Sequence, residues 1–459
     1  MPNLSRKRLV ELVKTMLLNI LEPDDLRNKQ FRFQRSFSGD NSWLRIQAED
    51  MPPIEMHADP SGNLGPAFFL VDDGFVAFEE YIHESLKDET IGKYVGKKAL
   101  EKSIEALLRN YRATPNIEDK ALDAAIRESL KALRASITTW QAFVPVDNLL
   151  LEGMSELRIG NVYFHPFTSI DKLLRELFLH SIDMNEHTSD EEKPKLKEVI
   201  ETNIFSIYST APTCAELTIK GEKTRISELV DADVDAALNL LRCYTNLIFD
   251  RGARAYIGLR GTVFRAARPS FIFTSEENEW LTNVQATGML FPFQLDSKKL
   301  QHLKTHCAFD IVSEILSKPD NSRTELESII ITTVRWLGRG IVATDSPEKV
   351  LALSVALERL LTTDKEEHSD ITDRLARRLA LLLSDDPASR VSLYKRAKQL
   401  YGLRSDVVHA GRIEIEESDV RQIEALACNA MIKMAQRLAE WKNHGDFTSW
   451  AERITFGGS

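Results

Sequence analysis

A chain of 459 residues, 43% of them hydrophobic and 28% charged, is long enough for two to four domains with real cores, which excludes a disordered or fibrous protein. A formal charge of -10 and a pI near 5.6 exclude indiscriminate binding along nucleic acid, because most of the surface repels phosphate. No apolar run approaches a membrane span, and the four cysteines, Cys214, Cys243, Cys307 and Cys428, lack any pairwise metal spacing. They read as buried reduced thiols of a cytoplasmic protein.

The chain opens on an amphipathic helix over residues 4–22, with Glu11 and Lys14 inside its apolar stretch, which suits a helix better than a signal peptide. Residues 31–37 and 43–48 alternate apolar with polar as strands do. Residues 51–66 are rich in turn formers and read as a long loop. The run AFFLV suggests a buried strand, followed by helices over 75–86, 97–111 and 117–137. This first region, 1–140, is mixed α+β.

From Trp140 the period changes. Residues 140–153 and 155–166 read as short strands, with Gly153 and Gly160 supplying the permissive backbone of their turns. A helix is expected over 169–182, then a polar, acidic mobile loop over 183–195. Strands are expected over 204–208 and 215–220, followed by a helix over 227–249. Residues 253–274 read as a β-ribbon in which Arg251, Arg254, Arg260, Arg265 and Arg268 interleave with Tyr256, Phe264 and Phe271. Such a mixture can hold phosphates and stack bases, but a solvated strand face over an apolar one gives the same pattern, and that simpler reading is preferred. His302 and His306 stand one turn apart with Asp310 a further turn on. Without a glutamate between the histidines they read as a polar helix face, so no metal and no cofactor is expected. The mixed region 141–320 ends at KPDNSR.

Beyond it, 321–459 carries five helical patterns with short connections, as a bundle does. The first runs over 324–342, weakened near its end by Gly338 and Gly340. Ser346 is the expected N-cap of the second, with Pro347 in its first turn. This second helix carries one acid, Glu358, inside an otherwise apolar region. The last expected helix covers 416–441. Between them, residues 387–412 hold six basic residues, Arg390, Lys395, Arg396, Lys398, Arg404 and Arg412, against one acid, Asp406.

That stretch contains LYGLRSDVVHAGR, in which Arg404 and His409 are five positions apart. Histidine titrates near neutrality and can take or return a proton, while arginine forms paired hydrogen bonds to phosphate oxygens. Together they suit phosphodiester cleavage in RNA, whose 2′-hydroxyl is a built-in nucleophile. On an ideal helix the two side chains diverge by roughly 140°. Either Gly402 and Ser405 loosen the helix and bring them together, or two copies of the chain share the site. The simpler reading is that His409 ends a helix and Arg404 makes a surface ion pair.

The stretches VLALSVALERLL, DITDRLARRLALLL and SLYKRAKQLYGLRSDVVHAG, taken in order, resemble the HEPN superfamily, and within it the ApeA-like group linked to abortive infection. The resemblance covers the last 120 to 140 residues. It implies a HEPN-type helical bundle that pairs into a homodimer and a metal-independent endoribonuclease site formed by both copies. Arg404 and His409 would be the catalytic pair, Ser405 the polar residue after the arginine and Glu358 the acid of the second helix. Lys395, Arg396, Lys398 and Arg412 would contact RNA. The chain departs from the commoner pattern in having Ala410 between His409 and Gly411, and Ser405 where asparagine or aspartate is usual. The expectation is therefore an RNA-cleaving protein of anti-phage defence, with the N-terminal two-thirds responding to an unknown trigger. The rival is a bundle kept for dimerisation or binding without chemistry. An enzyme seated in the N-terminal region has no glycine loop or nucleophile signature to support it.

Overall fold

The structure, a computed structural model, describes residues 6–21, 34–37, 45–46, 68–71, 73–114, 117–183, 189–205, 211–248, 257–259, 268–273, 280–285, 292–363, 371–411 and 414–457. The chain is a mixed α+β protein with a helical C-terminal region. It forms two units, Met1–Trp140 with Thr218–Val230, and Gln141–Leu217 with Asp231–Ser459.

In the first unit, α1 (Arg6–Leu18) buries Leu9, Val13 and Met16 on one face, the spacing that its sequence announces. It packs along α2 (Asp73–Leu86), whose Phe78, Tyr81 and Ile82 meet it in one core with Leu100 and Leu108 of α4 (Lys97–Tyr111) and Leu122 and Ile126 of α5 (Asp119–Ala135). Each such side chain contributes about 1.5–3 kcal/mol by leaving water. The short helix α3 (Glu89–Tyr94), not anticipated, is capped by Asp88, which accepts from Thr90 N and Ile91 N. The strands β1 (Ile20–Leu21), β2 (Gln34–Phe37), β3 (Arg45–Ile46) and β4 (Phe68–Val71) form an antiparallel sheet in the order β1-β4-β2-β3. The loop expected over 51–66 lies outside the described residues.

The sheet of the middle region has the order β10-β5-β9-β8-β7, from β5 (Thr138–Asp147), β7 (Leu157–Ile159), β8 (Val162–Pro166), β9 (Thr213–Gly221) and β10 (Gly258–Leu259). Gly153 (φ 65°) and Gly160 (φ 60°) are left-handed at the turns, as expected. β6 (Leu149–Glu152) pairs in parallel with β13 (Phe293–Asp296). The helix α6 (Phe167–Asp183) packs Phe167, Ile170 and Leu174 against Ile200, Phe205 and Cys214. Three expectations fail here. The loop expected over 183–195 already contains the start of α7 (Lys193–Val199), with Pro194 in its first turn, where a missing N–H costs nothing. Of the strand expected over 204–208, the described residues Ile204 and Phe205 are helical, at the end of a π-helical turn Ile200–Ile204 in which Phe205 joins a core with Ile200; residues 206–208 lie outside the described residues. The described parts of the ribbon do not pair with each other: β10 pairs with β5, and β11 (Arg268–Phe273) pairs with β12 (Trp280–Gln285). Arg251, Arg254, Tyr256, Arg260, Phe264 and Arg265 lie outside the described residues.

The long helix α8 (Ile226–Ile248) is followed by α9 (Ser297–His306) and α10 (Phe309–Ser317), which are separated at Ala308 (φ 55°). Asp310 is therefore not one turn on from His306 in a single helix. It pairs with Lys304 at 3.4 Å. Then come α11 (Glu325–Val342), α12 (Ser346–Leu361), α13 (Ile371–Leu383), α14 (Pro387–Ala410), α15 (Glu417–Gln436) and α16 (His444–Thr455). The five expected helices are joined by a sixth, α16, opened by a capping box between Asn443 and Asp446. The N-cap of α12 is Asp345, which accepts from Glu348 N at 2.7 Å, and Ser346 is already helical. Gly338 and Gly340 do not weaken α11. They let it approach Asn239 of α8 and Leu353 of α12, respectively. The bundle core holds Ile330, Leu337, Leu353, Leu357, Leu375, Leu379, Ile423 and Met431. Among the described residues no helix is long and apolar enough to cross a membrane.

Candidate active site on the C-terminal helices

The helix α14 starts where Asp386 accepts from Ser389 N at 2.8 Å and ends at Gly411 (φ 63°), whose N–H bonds Asp406 O. Between these caps it is continuous, so Gly402 and Ser405 do not loosen it. Five residues of ideal helix separate Arg404 and His409 by about 7.5 Å along the axis and about 140° around it. One copy of the helix does not bring the two together.

Arg404 points toward α12. Its Nε lies 2.7 Å from Oε1 of Glu358, the two side chains being 34% and 21% exposed. The hydroxyl of Tyr401 donates to the same Oε1 at 2.6 Å. One carboxylate thus receives two donors from one face of α14, since residues three apart are neighbours on a helix. Burial, and then the adjacent Glu358 carboxylate, push the Tyr401 phenol well above its ordinary value, so it remains a donor. The single acid inside the apolar run of α12 is explained: it fixes a guanidinium that is still one-third exposed.

His409 is exposed in the last turn of α14, beside exposed Val408, and has no hydrogen-bond or ion-pair partner among the described residues. Ser405 is exposed as well. The sequence-predicted set therefore divides: Arg404 and Glu358 meet, while His409 and Ser405 lie elsewhere on the helix surface.

The basic residues assigned to RNA are differently placed. Lys395 is exposed. Arg396 is held by Asp419 (2.6 Å), Gln422 (2.5 Å) and Gln399 (2.8 Å). Lys398 donates to Asp373 at 3.2 Å and to Tyr394 at 3.4 Å. Arg412 lies outside the described residues. The positive field of this stretch is partly offset by acids from α13 and α15, which are remote in sequence and so invisible to a local charge count. Asp373 is well suited to that role. Hydrogen bonds from Tyr394 and then Lys398, with the charge of Arg377, hold its carboxyl below the ordinary range.

Sequence reasoning named neither Tyr401, Tyr394 nor Asp373. Only Tyr401 carried a usable signal, its position three residues before Arg404. The His302 and His306 rings are 4.9 Å apart and exposed, and among the described residues no group of three or more His, Cys, Asp or Glu is arranged to hold a metal ion. All four cysteines are buried free thiols. No family model, curated protein or solved structure matches the chain.

Proposed function

We propose that the C-terminal helices form a HEPN-type endoribonuclease that needs two copies of the chain, does not need a metal, and is regulated by the N-terminal two-thirds. The observation that carries this reading is Arg404, held in a fixed and partly exposed position by Glu358 and Tyr401. A phosphate arriving there finds a guanidinium whose orientation is set before binding.

His409 deprotonates the 2′-hydroxyl, which attacks the adjacent phosphorus. The P–O5′ bond breaks, and His409 of the second copy protonates the departing oxygen. Arg404 stabilises the added negative charge of the pentacoordinate phosphorane. The product ends are a 2′,3′-cyclic phosphate and a 5′-hydroxyl. The separation of Arg404 and His409 around a continuous helix is the reason a second copy is required. Exposed Val391 and Val408 on α14 offer apolar area for pairing. Acting on RNA in the cytoplasm, such a protein would arrest growth upon a trigger such as phage infection, in keeping with the resemblance to the ApeA-like group.

A second reading is a non-catalytic dimerisation or binding module. It is favoured by the Arg404 to Glu358 ion pair, which neutralises the very charge the reaction uses. Incubating the purified protein with total RNA in EDTA separates the two. Cleavage leaving cyclic phosphate ends, reduced by a factor of about 10² to 10⁴ in His409→Ala, supports the enzyme. Cleavage indifferent to His409 refutes its catalytic role, and no cleavage together with equal growth of cells expressing either form supports the binding module.

A further inference from the structure

Arg323, Arg377, Arg396, Arg404, Arg421 and Arg437 of the C-terminal helices each face a carboxylate oxygen within 3.1 Å. Arg335 and Arg339 of α11 do not. Both are exposed, and neither has a hydrogen-bond or ion-pair partner among the described residues. The positions one turn from them on α11 hold Ile331, Thr332, Trp336, Gly338, Val342 and Ala343, none of which is acidic. On α12, which packs against α11, Glu358 is already committed to Arg404 and Tyr401. The Arg339 guanidinium lies over the half-buried Trp336 ring, 5.0 Å from its centroid. That contact occupies one flat face of the guanidinium and leaves its N–H donors unused.

We infer that this face of α11 holds the phosphate backbone of a single RNA strand, with Arg335 and Arg339 on neighbouring phosphates. The inference rests on the endoribonuclease reading and supplies that site with a strand-holding surface, a task for which Arg396 and Lys398, both engaged by acids, are poorly placed. Residues four apart rise about 6 Å along a helix, close to the spacing of successive phosphates in one strand. A guanidinium fits two phosphate oxygens at once, and Trp336 fixes the plane of Arg339 before the strand arrives. Because α12 packs against both α11 and α14, at most two interaxial spacings, about 20 Å, separate α11 from the helix that carries Arg404. A few nucleotides bridge that distance. In a chain of formal charge -10, RNA has to be held by such local cationic ground, since the surface as a whole repels it.

The test uses the full chain carrying His409→Ala, so that RNA is not consumed and binding is read apart from cleavage. Affinity for a fluorescent ten-nucleotide single-stranded RNA is measured by anisotropy across a series of salt concentrations. Arg335→Gln with Arg339→Gln, both at exposed positions, should weaken binding about 10- to 30-fold at 0.1 M salt. It should also lower the slope of log affinity against log salt by about 1.4, the value for two lost phosphate contacts on a single strand. Arg339→Lys keeps the charge but not the flat fork, so it should weaken binding severalfold with the slope unchanged. Lys98→Gln with Lys102→Gln removes the same charge from an exposed face of α4 and should change neither quantity. No binding, binding unchanged in the double arginine variant, or an equal loss in the lysine variant overturns the inference. If binding depends on the arginine pair while cleavage by the original protein proves indifferent to His409, the catalytic reading fails alone. If cleavage needs His409 while binding ignores the pair, the strand-holding surface fails alone.

Discussion

Replacing Glu358 tests the centre of the proposed site, because stability and cleavage should respond to different parts of its role. Glu358→Gln keeps the shape and a neutral acceptor for Tyr401 but removes the charge opposite Arg404. A charge-assisted hydrogen bond is worth about 1.5–3 kcal/mol when buried. With Arg404 34% and Glu358 21% exposed, solvent screening reduces that to about 1–2 kcal/mol. Tyr401→Phe removes the other donor and costs about 1 kcal/mol, a typical neutral hydrogen bond. Glu358→Ala loses both and leaves a buried hydroxyl unpaired, for about 2–3 kcal/mol. Urea unfolding at pH 7 measures all three. Cleavage at fixed temperature should then fall about ten- to hundredfold in Glu358→Gln, since a guanidinium displaced by an ångström loses its aim, and much less in Tyr401→Phe. If Glu358→Gln cleaves at the original rate or faster, the carboxylate quenches Arg404 instead of aiming it, and the orienting argument is wrong.

Two further outcomes bear on the fold that carries the site. Gly338→Ala places a Cβ inside contact distance of the buried Asn239 side chain, which also holds Arg242 at 2.5 Å, so the urea midpoint should drop by the equivalent of about 1–3 kcal/mol despite the better helix propensity of alanine. An unchanged or raised midpoint would mean that α8 and α11 are not in close contact there. Asp373 has a folded pKa below its unfolded value, chiefly through the Tyr394 hydroxyl, so its contribution is present above the ordinary carboxylate pKa and is lost as pH falls through the depressed folded one. Asp373→Asn should therefore be less stable than the original protein at pH 7, with the gap closing as pH falls below about 4; a gap independent of pH would refute the linkage.

How much of this was legible in the sequence depended on range. Helices α4, α5, α8 and α11 were found within two residues of their ends, because the apolar spacing that marks them also drives their burial. Gly153 and Gly160 were correctly placed at turns for a similarly local reason, the left-handed backbone. Errors arose where a local preference met a distant partner. Phe205, expected in a strand, instead follows the core it shares with Ile200. Gly338 looks like a helix weakness until Asn239, about a hundred residues earlier, is seen to occupy the space a side chain would need.

The same limit explains the candidate site. Arg404 and His409 are legible as a motif, but the sequence left open whether a glycine bends the helix between them or a second chain completes the site. The caps decide the local part of that question. Asp386 at one end and Gly411 at the other fix a single helix, and Gly402, with open space around its missing side chain, has no packing that would bend it. Arg404 is then committed to α12, and His409 to the exposed end of α14. A catalyst built from these two groups has to recruit the second imidazole from outside the chain. The ion pair at Glu358 is what would keep the guanidinium aimed while that encounter takes place.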